Sequence, residues 1–261
     1  MPLSLTKYME IALLAAREAG AIQKEMLDKK KEVAFKGEIN LVTEVDKGCE
    51  ARIVEIIRRE FPDHNLLTEE TLIPETASPY KWIIDPLDGT TNYAHGYPVF
   101  AVSIALEVKG EVLLGVVLDP TRDELFTVQK GEGAYLNGRK LSVSSTASLN
   151  RALLATGFPY DLRESRENNV AHFNRFIFAA QAVRRDGSAA LNLCYVAAGR
   201  FDGFWELKLY PWDVAAGKLM VEEAGGQVSD FTGKGVSIYD RQILASNGRI
   251  HEEMVHILSN R

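Results

Sequence analysis

The sequence predicts a mixed α/β protein, α+β in its first half and α/β in its second, and three observations carry that reading. Apolar residues at helical spacing open the chain. From "NLLTEE" to "ELFTVQ" the runs are β-rich and separated by turn residues, and after about residue 145 helix-like and strand-like segments alternate. With 261 residues, 46% hydrophobic and 25% charged, the chain is long enough for a substantial core. Two compact halves, 1–145 and 146–261, fit this pattern with no long linker, low-complexity segment or internal repeat.

Taken in order, Leu5, Met9, Ala12, Leu13, Ala16 and Ala19 follow helical spacing, with Ser4 or Thr6 placed to cap. A second helix is predicted from Asp46 as N-cap through Ile53, Ile56 and Ile57 to a stop at Pro62. "YKWIID", "VFAVSIALEV", "VLLGVVLD" and "ELFTVQ" read as antiparallel hairpins punctuated by Gly110 and "DPTRD". The second half offers a strand near "ALLATGF", a helix near "ESRENNVAHFNRFIFAA" and a strand around "QAVRR". A helix from Ser188 to about Ala198, the strand "DGFWEL", the helix "WDVAAGKLMVEEAGG", the strand "QILASN" and a closing helix to Ser259 complete it.

Charge and composition exclude several functions. The formal net charge is -6 and the longest basic run is "KKK", so the chain lacks the footprint of non-specific nucleic-acid binding, and small substrates are expected. The N-terminus lacks a signal-peptide pattern, and no stretch approaches the roughly 20 apolar residues of a membrane span, which predicts a cytoplasmic protein. Cys49 and Cys194 form no C-x-x-C pair and read as buried reduced thiols.

"WIIDPLDGTTN", residues 82–92, carries the chemistry. An apolar strand runs into Asp85; Pro86 cannot extend a sheet, Gly89 permits an unusual backbone angle, and Thr90 or Thr91 can cap a short helix. Amide protons at the helix start form an anion site beside two carboxylates, a conflict that divalent cations such as Mg²⁺ resolve. Further acids must then converge: Glu69 or Glu70 at the end of "NLLTEE", Asp213 at a strand-to-helix junction, and Asp46. Taken singly, Asp46 and Asp213 also read as plain N-caps, the glutamates as solvated edge charges, and D-P-L-D as a surface turn.

"WIIDPLDGTTNY" with "PWDVAAGKLMVEEAGG" resembles the two signature motifs of the inositol monophosphatase family, magnesium-dependent, lithium-sensitive phosphatases with bacterial and archaeal members. "NLVTEVD", the Glu-Glu strand end and "RRDGSAALNLCYVAAGRFDGFWE" fall in the family's order and spacing, so the resemblance spans nearly the whole chain. It implies a layered αβαβα sandwich of the sugar-phosphatase type and a homodimer. Most metal ligands would lie in the N-terminal half, with Asp213 and the substrate contacts in the C-terminal half.

The resemblance further implies that Glu69, Asp85 and the backbone carbonyl of Leu87 hold one Mg²⁺, and Asp85, Asp88 and Asp213 a second. A third, weaker ion would lie against Glu69, making two or three per subunit. Thr90 and Asp46, or Glu69, would orient or deprotonate the attacking water, and the amides of Gly89 and Thr90 would receive the phosphate. Gly187, Ser188, Ala189 and Glu206, with Asp88, fall where the family contacts the substrate's hydroxyl-bearing ring. Thr68 stands where the family often has glycine, and Asp186 adjoins the substrate region without an assigned role.

The expected reaction is hydrolysis of a phosphate monoester, myo-inositol 1-phosphate first. Glu206 favours a hydroxylated ring. Arg184 and Arg185 would contact a second phosphate if they faced the pocket, which keeps a fructose-1,6-bisphosphatase or dual activity open, or they pair with acids across an interface. Nucleotide and histidinol phosphates are further substrates in the superfamily. From another class, a transcription-machinery or RNA-associated interaction protein is opposed by the acidic balance and the missing basic stripe. "GEGAYLNGRK" lacks the Walker pattern, and His95 has no second histidine at ligand spacing. Phe204 and Trp205 read as core and subunit-contact residues, and "FKGEINLVTEVD", with Lys36 and Gly37, as a loop able to close over the site.

Overall fold

The computed structural model describes residues 5–27, 33–35 and 41–259, so Ser4 and the Lys36 to Gly37 loop lie outside the described residues. In chain order the elements are α1 (Leu5–Leu27), β1 (Val33–Phe35), β2 (Leu41–Thr43), α2 (Glu44–Glu60), β3 (Asn65–Thr68), β4 (Tyr80–Asp88) and α3 (Thr90–Ala94). The hairpin-linked strands β5 (Ala101–Val108), β6 (Glu111–Asp119), β7 (Glu124–Gln129), β8 (Gly133–Leu136) and β9 (Arg139–Lys140) follow. After a 3₁₀ turn at Leu149–Arg151 come β10 (Leu153–Thr156), α4 (Val170–Ala179), β11 (Ala182–Arg184), α5 (Ala189–Ala197), β12 (Gly203–Leu207), α6 (Pro211–Glu223), β13 (Gln227–Ser229), β14 (Gln242–Ser246) and α7 (His251–Ser259).

Strands β3 to β9 form one sheet in sequence order, antiparallel except for the β3/β4 pair. A second sheet has the order β11-β10-β12-β14-β13, parallel through its first three strands and antiparallel beyond. Alternation along the strands sets the layers. Trp82, Ile84, Ile104 and Val116 face α1 and α2, whereas Ile83, Ala105 and Val117 face α5 and α6. In the second sheet Ala155, Phe204 and Ala245 look back at α5 and α6, while Leu154, Trp205 and Leu244 pack on α4 and α7. The result is the αβαβα sandwich.

The middle layer is tight because small residues face each other. A Cβ on Gly115 of β6 would lie 2.8 Å from the Cβ of Ala216 on α6, and one on Gly217 would lie 2.6 Å from Leu193 on α5. Larger side chains there would push the helices off the sheet. Residue 145 falls between β9 and the 3₁₀ turn, and α5 and α6, which follow it, sit between both sheets. Among the described residues no helix is long and apolar enough to cross a membrane.

Several expectations shift. The buried stripe of α1 runs through Tyr8, Ile11, Ala12, Ala15, Ala16, Ala19 and Gln23, so Leu5, Met9 and Leu13 lie at its partly buried edge. Helix α2 begins at Glu44, which makes Asp46 a first-turn residue rather than the N-cap. "ESREN" is not helical: Asn169 takes φ 68 and accepts the Trp205 indole N–H at 2.8 Å, a tertiary bond that holds the chain out of helix until Val170. Phe204 and Trp205 are fully buried core, not a subunit contact. Strands β8, β9 and β13, of two to four residues, are too short to show a period in the sequence, and β4 continues past Pro86.

Candidate active site

The continuation of β4 decides where its aspartates point. On an uninterrupted strand Asp85 would share the face of Ile83, and Asp88, three residues on, would turn to the opposite face. Asp85 pairs with Ser103 and Asp88 with Ala101, so β4 carries one residue more than β5 across this interval. That is a β-bulge, and Pro86, which has no N–H to give, falls inside it. After the bulge Leu87 joins the cluster beneath α1 and α2, and Asp85 and Asp88 emerge together on the face of α5 and α6.

Around this pair the fold gathers other groups. Asp213 lies in the first turn of α6, its carboxylate accepting the Tyr210 N–H at 2.7 Å. One oxygen from each of Asp85, Asp88 and Asp213 lies within 4.8 Å of the others, and the same holds for Asp46, Glu69 and Glu70 just beyond β3. Ser188 caps α5 by accepting from Leu191 N–H and donates to Asp88 Oδ2 at 2.5 Å, beside the Ala190 N–H at 2.8 Å. The Thr90 hydroxyl, at the start of α3 and not its cap, lies 3.0 Å from the Leu87 carbonyl and 3.4 Å from Asp46 Oδ2. The cap position belongs to Gly89 at φ 94, where a Cβ would meet the Val99 carbonyl at 2.8 Å.

Burial among like charges raises the carboxyls. Asp85 is driven well above its usual value by burial first and then by Glu69, Asp88, Asp213 and Asp46; Asp213 is raised by burial and Asp88. Burial lifts Asp88 to about 6 against the opposing hydrogen bonds from Ser188 and Ala190. Glu206 is pushed up to about 8 by burial and Asp88, with Arg185 pulling the other way.

Glu69, Asp85, Leu87, Asp88, Gly89, Thr90, Arg185, Gly187, Ala189, Glu206 and Asp213 line one cavity of about 360 Å³. Ser188 lies buried behind Asp88, and Asp46 behind Thr90. Arg184 is exposed outside the cavity wall, its guanidinium donating to the Val183 carbonyl at 3.3 Å. Asp186 turns its backbone carbonyl to the Asn92 amide at 2.7 Å. Sequence reading missed the opposite wall: Gly157, Phe158, Tyr160 and Asp161 after β10, and Lys208, Tyr210 and Arg241. The position of "GFPYD" at the end of a parallel strand was the available signal. Gly157 makes room for Glu206, since a Cβ there would lie 2.0 Å from Oε1. Lys208 ties the wall together through Asp161 at 2.6 Å and Ser165 at 2.7 Å.

Comparison with known proteins gives concordant results. A family model described as the inositol monophosphatase family matches residues 4–261. An inositol-1-monophosphatase from Synechocystis sp. is 45% identical over 260 residues, covering 99% of this chain and 91% of the relative. The Nus factor SuhB of Escherichia coli K12 is 44% identical over 250 residues, covering 95% of this chain and 94% of the relative. The structure of inositol monophosphatase from Anabaena (Nostoc) sp. PCC 7120 superimposes with a TM-score of 0.90 at 46% identity, covering 98% of this chain and 96% of that one.

Proposed function

The chain belongs to the inositol monophosphatase family, and on that premise we propose that this phosphatase hydrolyses myo-inositol 1-phosphate to inositol and phosphate with Mg²⁺ as cofactor. One observation supports the reading above others: the bulge at Pro86 brings Asp85 and Asp88 to a single face, within 4.8 Å of Asp213, in a cavity that also holds Glu206. The donors are carboxylates and a backbone carbonyl, and among the described residues no His or Cys lines the cavity, a set that suits a hard cation. Glu69, Asp85 and the Leu87 carbonyl would hold one Mg²⁺, and Asp85, Asp88 and Asp213 a second, with a weaker third against Glu69. When bound, the ions neutralise the phosphoryl oxygens, acidify the attacking water and stabilise the departing alkoxide.

The residues divide the remaining work. Thr90, its hydroxyl between Asp46 and the Leu87 carbonyl, orients the water, and Asp46 or Glu69 takes its proton. The backbone amides of Gly89 and Thr90 receive the phosphate. Glu206, in the same cavity, offers its carboxyl to ring hydroxyls, with Gly187 and Ala189 beside it. Phosphate release from a panel of monoesters with Mg²⁺ tests the reading; a preference for fructose 1,6-bisphosphate or a nucleotide over inositol phosphate would replace the substrate. Inhibition by Li⁺ belongs to the same panel.

Ile177 and Phe178, exposed on α4, support a homodimer, which sedimentation of the purified chain checks. A second reading, an added role with the transcription machinery, has its support in the resemblance to the Nus factor SuhB of Escherichia coli. Co-purification of transcription proteins from extract would favour it. The net charge of -6 argues against direct RNA binding.

A further inference from the structure

The apolar stripe of α1 breaks at its last buried position. Where the helix phase calls for a hydrophobic side chain, Gln23 stands fully buried, among the alanines, isoleucines and aromatics of the layer beneath β4. An amide in such surroundings costs free energy unless it bonds, and a leucine or methionine would fill the position without that cost. Gln23 Nε2 donates to the carbonyl of Pro86 at 2.8 Å. The backbone carbonyl of Gln23 accepts the hydroxyl of buried Tyr93, on α3, at 2.9 Å. One residue of α1 therefore grips the Asp85 to Asp88 bulge and the helix that follows it.

Pro86 sits in the bulge, where the pairing with β5 is out of step. Gln23 fixes the Pro86 carbonyl on the α1 side, while the next carbonyl, that of Leu87, lies 3.0 Å from the hydroxyl of Thr90, which lines the cavity with Leu87. The same anchor keeps the phase flip that leaves Asp85 and Asp88 on one face. We propose that Gln23 is a positioning residue for the cation site: it touches neither ion nor substrate, and it holds the Leu87 carbonyl and the paired aspartates in the arrangement that binds the metal. This inference rests on the reading of the carboxylates as Mg²⁺ ligands.

The test compares wild type, Gln23→Met and Leu114→Ala, the last a fully buried site in the same layer but remote from the bulge in sequence. Mg²⁺ binding is measured by calorimetric titration of protein freed of metal with chelator, and phosphate release is followed across Mg²⁺ concentration. Gln23→Met is expected to weaken Mg²⁺ binding about 10-fold or more, as loss of a group that orients metal ligands does. Turnover at saturating Mg²⁺ should stay close to wild type. Leu114→Ala should lower the melting temperature and leave the Mg²⁺ midpoint in place. Gln23→Asn, a smaller change that draws the amide back from the Pro86 carbonyl, guards against failure of Gln23→Met to fold and should also weaken Mg²⁺ binding. Wild-type and Gln23→Met midpoints that coincide would overturn the inference alone, as would an unchanged Gln23→Asn midpoint if Gln23→Met does not fold. No Mg²⁺ binding by the wild type would overturn both the inference and the reading beneath it.

Discussion

Two strands of the larger sheet reach an Asp-Pro step, and the two aspartates lead opposite lives. Asp119 at the end of β6 is buried, and the next residues satisfy it. Thr121 N–H at 2.8 Å, the Thr121 hydroxyl at 2.7 Å and Arg122 N–H at 3.1 Å bind Oδ1, and the Arg122 guanidinium meets Oδ2 at 2.7 Å. Asp85 on β4 is equally buried and accepts the Leu87 N–H at 2.9 Å, but the charges around it are Glu69, Asp88, Asp213 and Asp46. A buried carboxylate that serves the fold brings its own compensation along the chain. One surrounded by other acids needs a cation from outside.

The sharpest break of this contrast is Asp88→Asn. The side chain keeps an oxygen for Ser188 and Ala190, so folding should survive, while phosphate release falls about 10³-fold or more because several kcal/mol of metal-derived stabilisation is lost. Assays of turnover and of melting in chelator check both halves. Asp119→Ala should do the reverse. It leaves Arg122 and the turn amides without their acceptor and costs about 2 kcal/mol of stability in urea unfolding, with turnover retained below the melting range.

A smaller effect concerns pH in the metal-free protein. Asp88 is raised to about 6 from an ordinary 3.8, so its contribution favours the fold below about pH 4 and is lost as pH rises through 6. His251, lowered to about 4 by burial, acts in the opposite sense, its contribution present above about 6.5 and lost as pH falls toward 4. Comparing wild type with Asp88→Asn cancels the histidine. In chelator, wild type should gain melting temperature relative to the variant on acidification from pH 7 to 5, and Mg²⁺ at pH 7 should remove that gap.

The same contrast explains what could be read from the chain. The layers follow from local pattern: the nearly continuous apolar run "VFAVSIALEV" marks a strand buried on both faces, and "WDVAAGKLMVEEAGG" marks a helix. In the sequence Asp85, Asp88, Asp213 and the Glu69-Glu70 pair stand out as acids at strand ends and helix starts. Their convergence depends on the bulge, a property of the β4/β5 register that no spacing reveals, and Pro86, which by sequence ends the strand, marks a phase flip within it. Asp46 looked like an N-cap because nothing local reports its distance to Thr90. Tyr160, Lys208 and Arg241 come from separate loops, so only the folded second sheet makes them one wall.

The role of the cation is measured most directly by phosphate release from myo-inositol 1-phosphate by protein stripped with excess chelator, followed by stepwise return of Mg²⁺. If Mg²⁺ held by these carboxylates drives the reaction, there is no turnover in chelator and a saturable recovery on return of Mg²⁺ that Asp88→Asn does not show. Full turnover in excess chelator, or full recovery in Asp88→Asn, would contradict it.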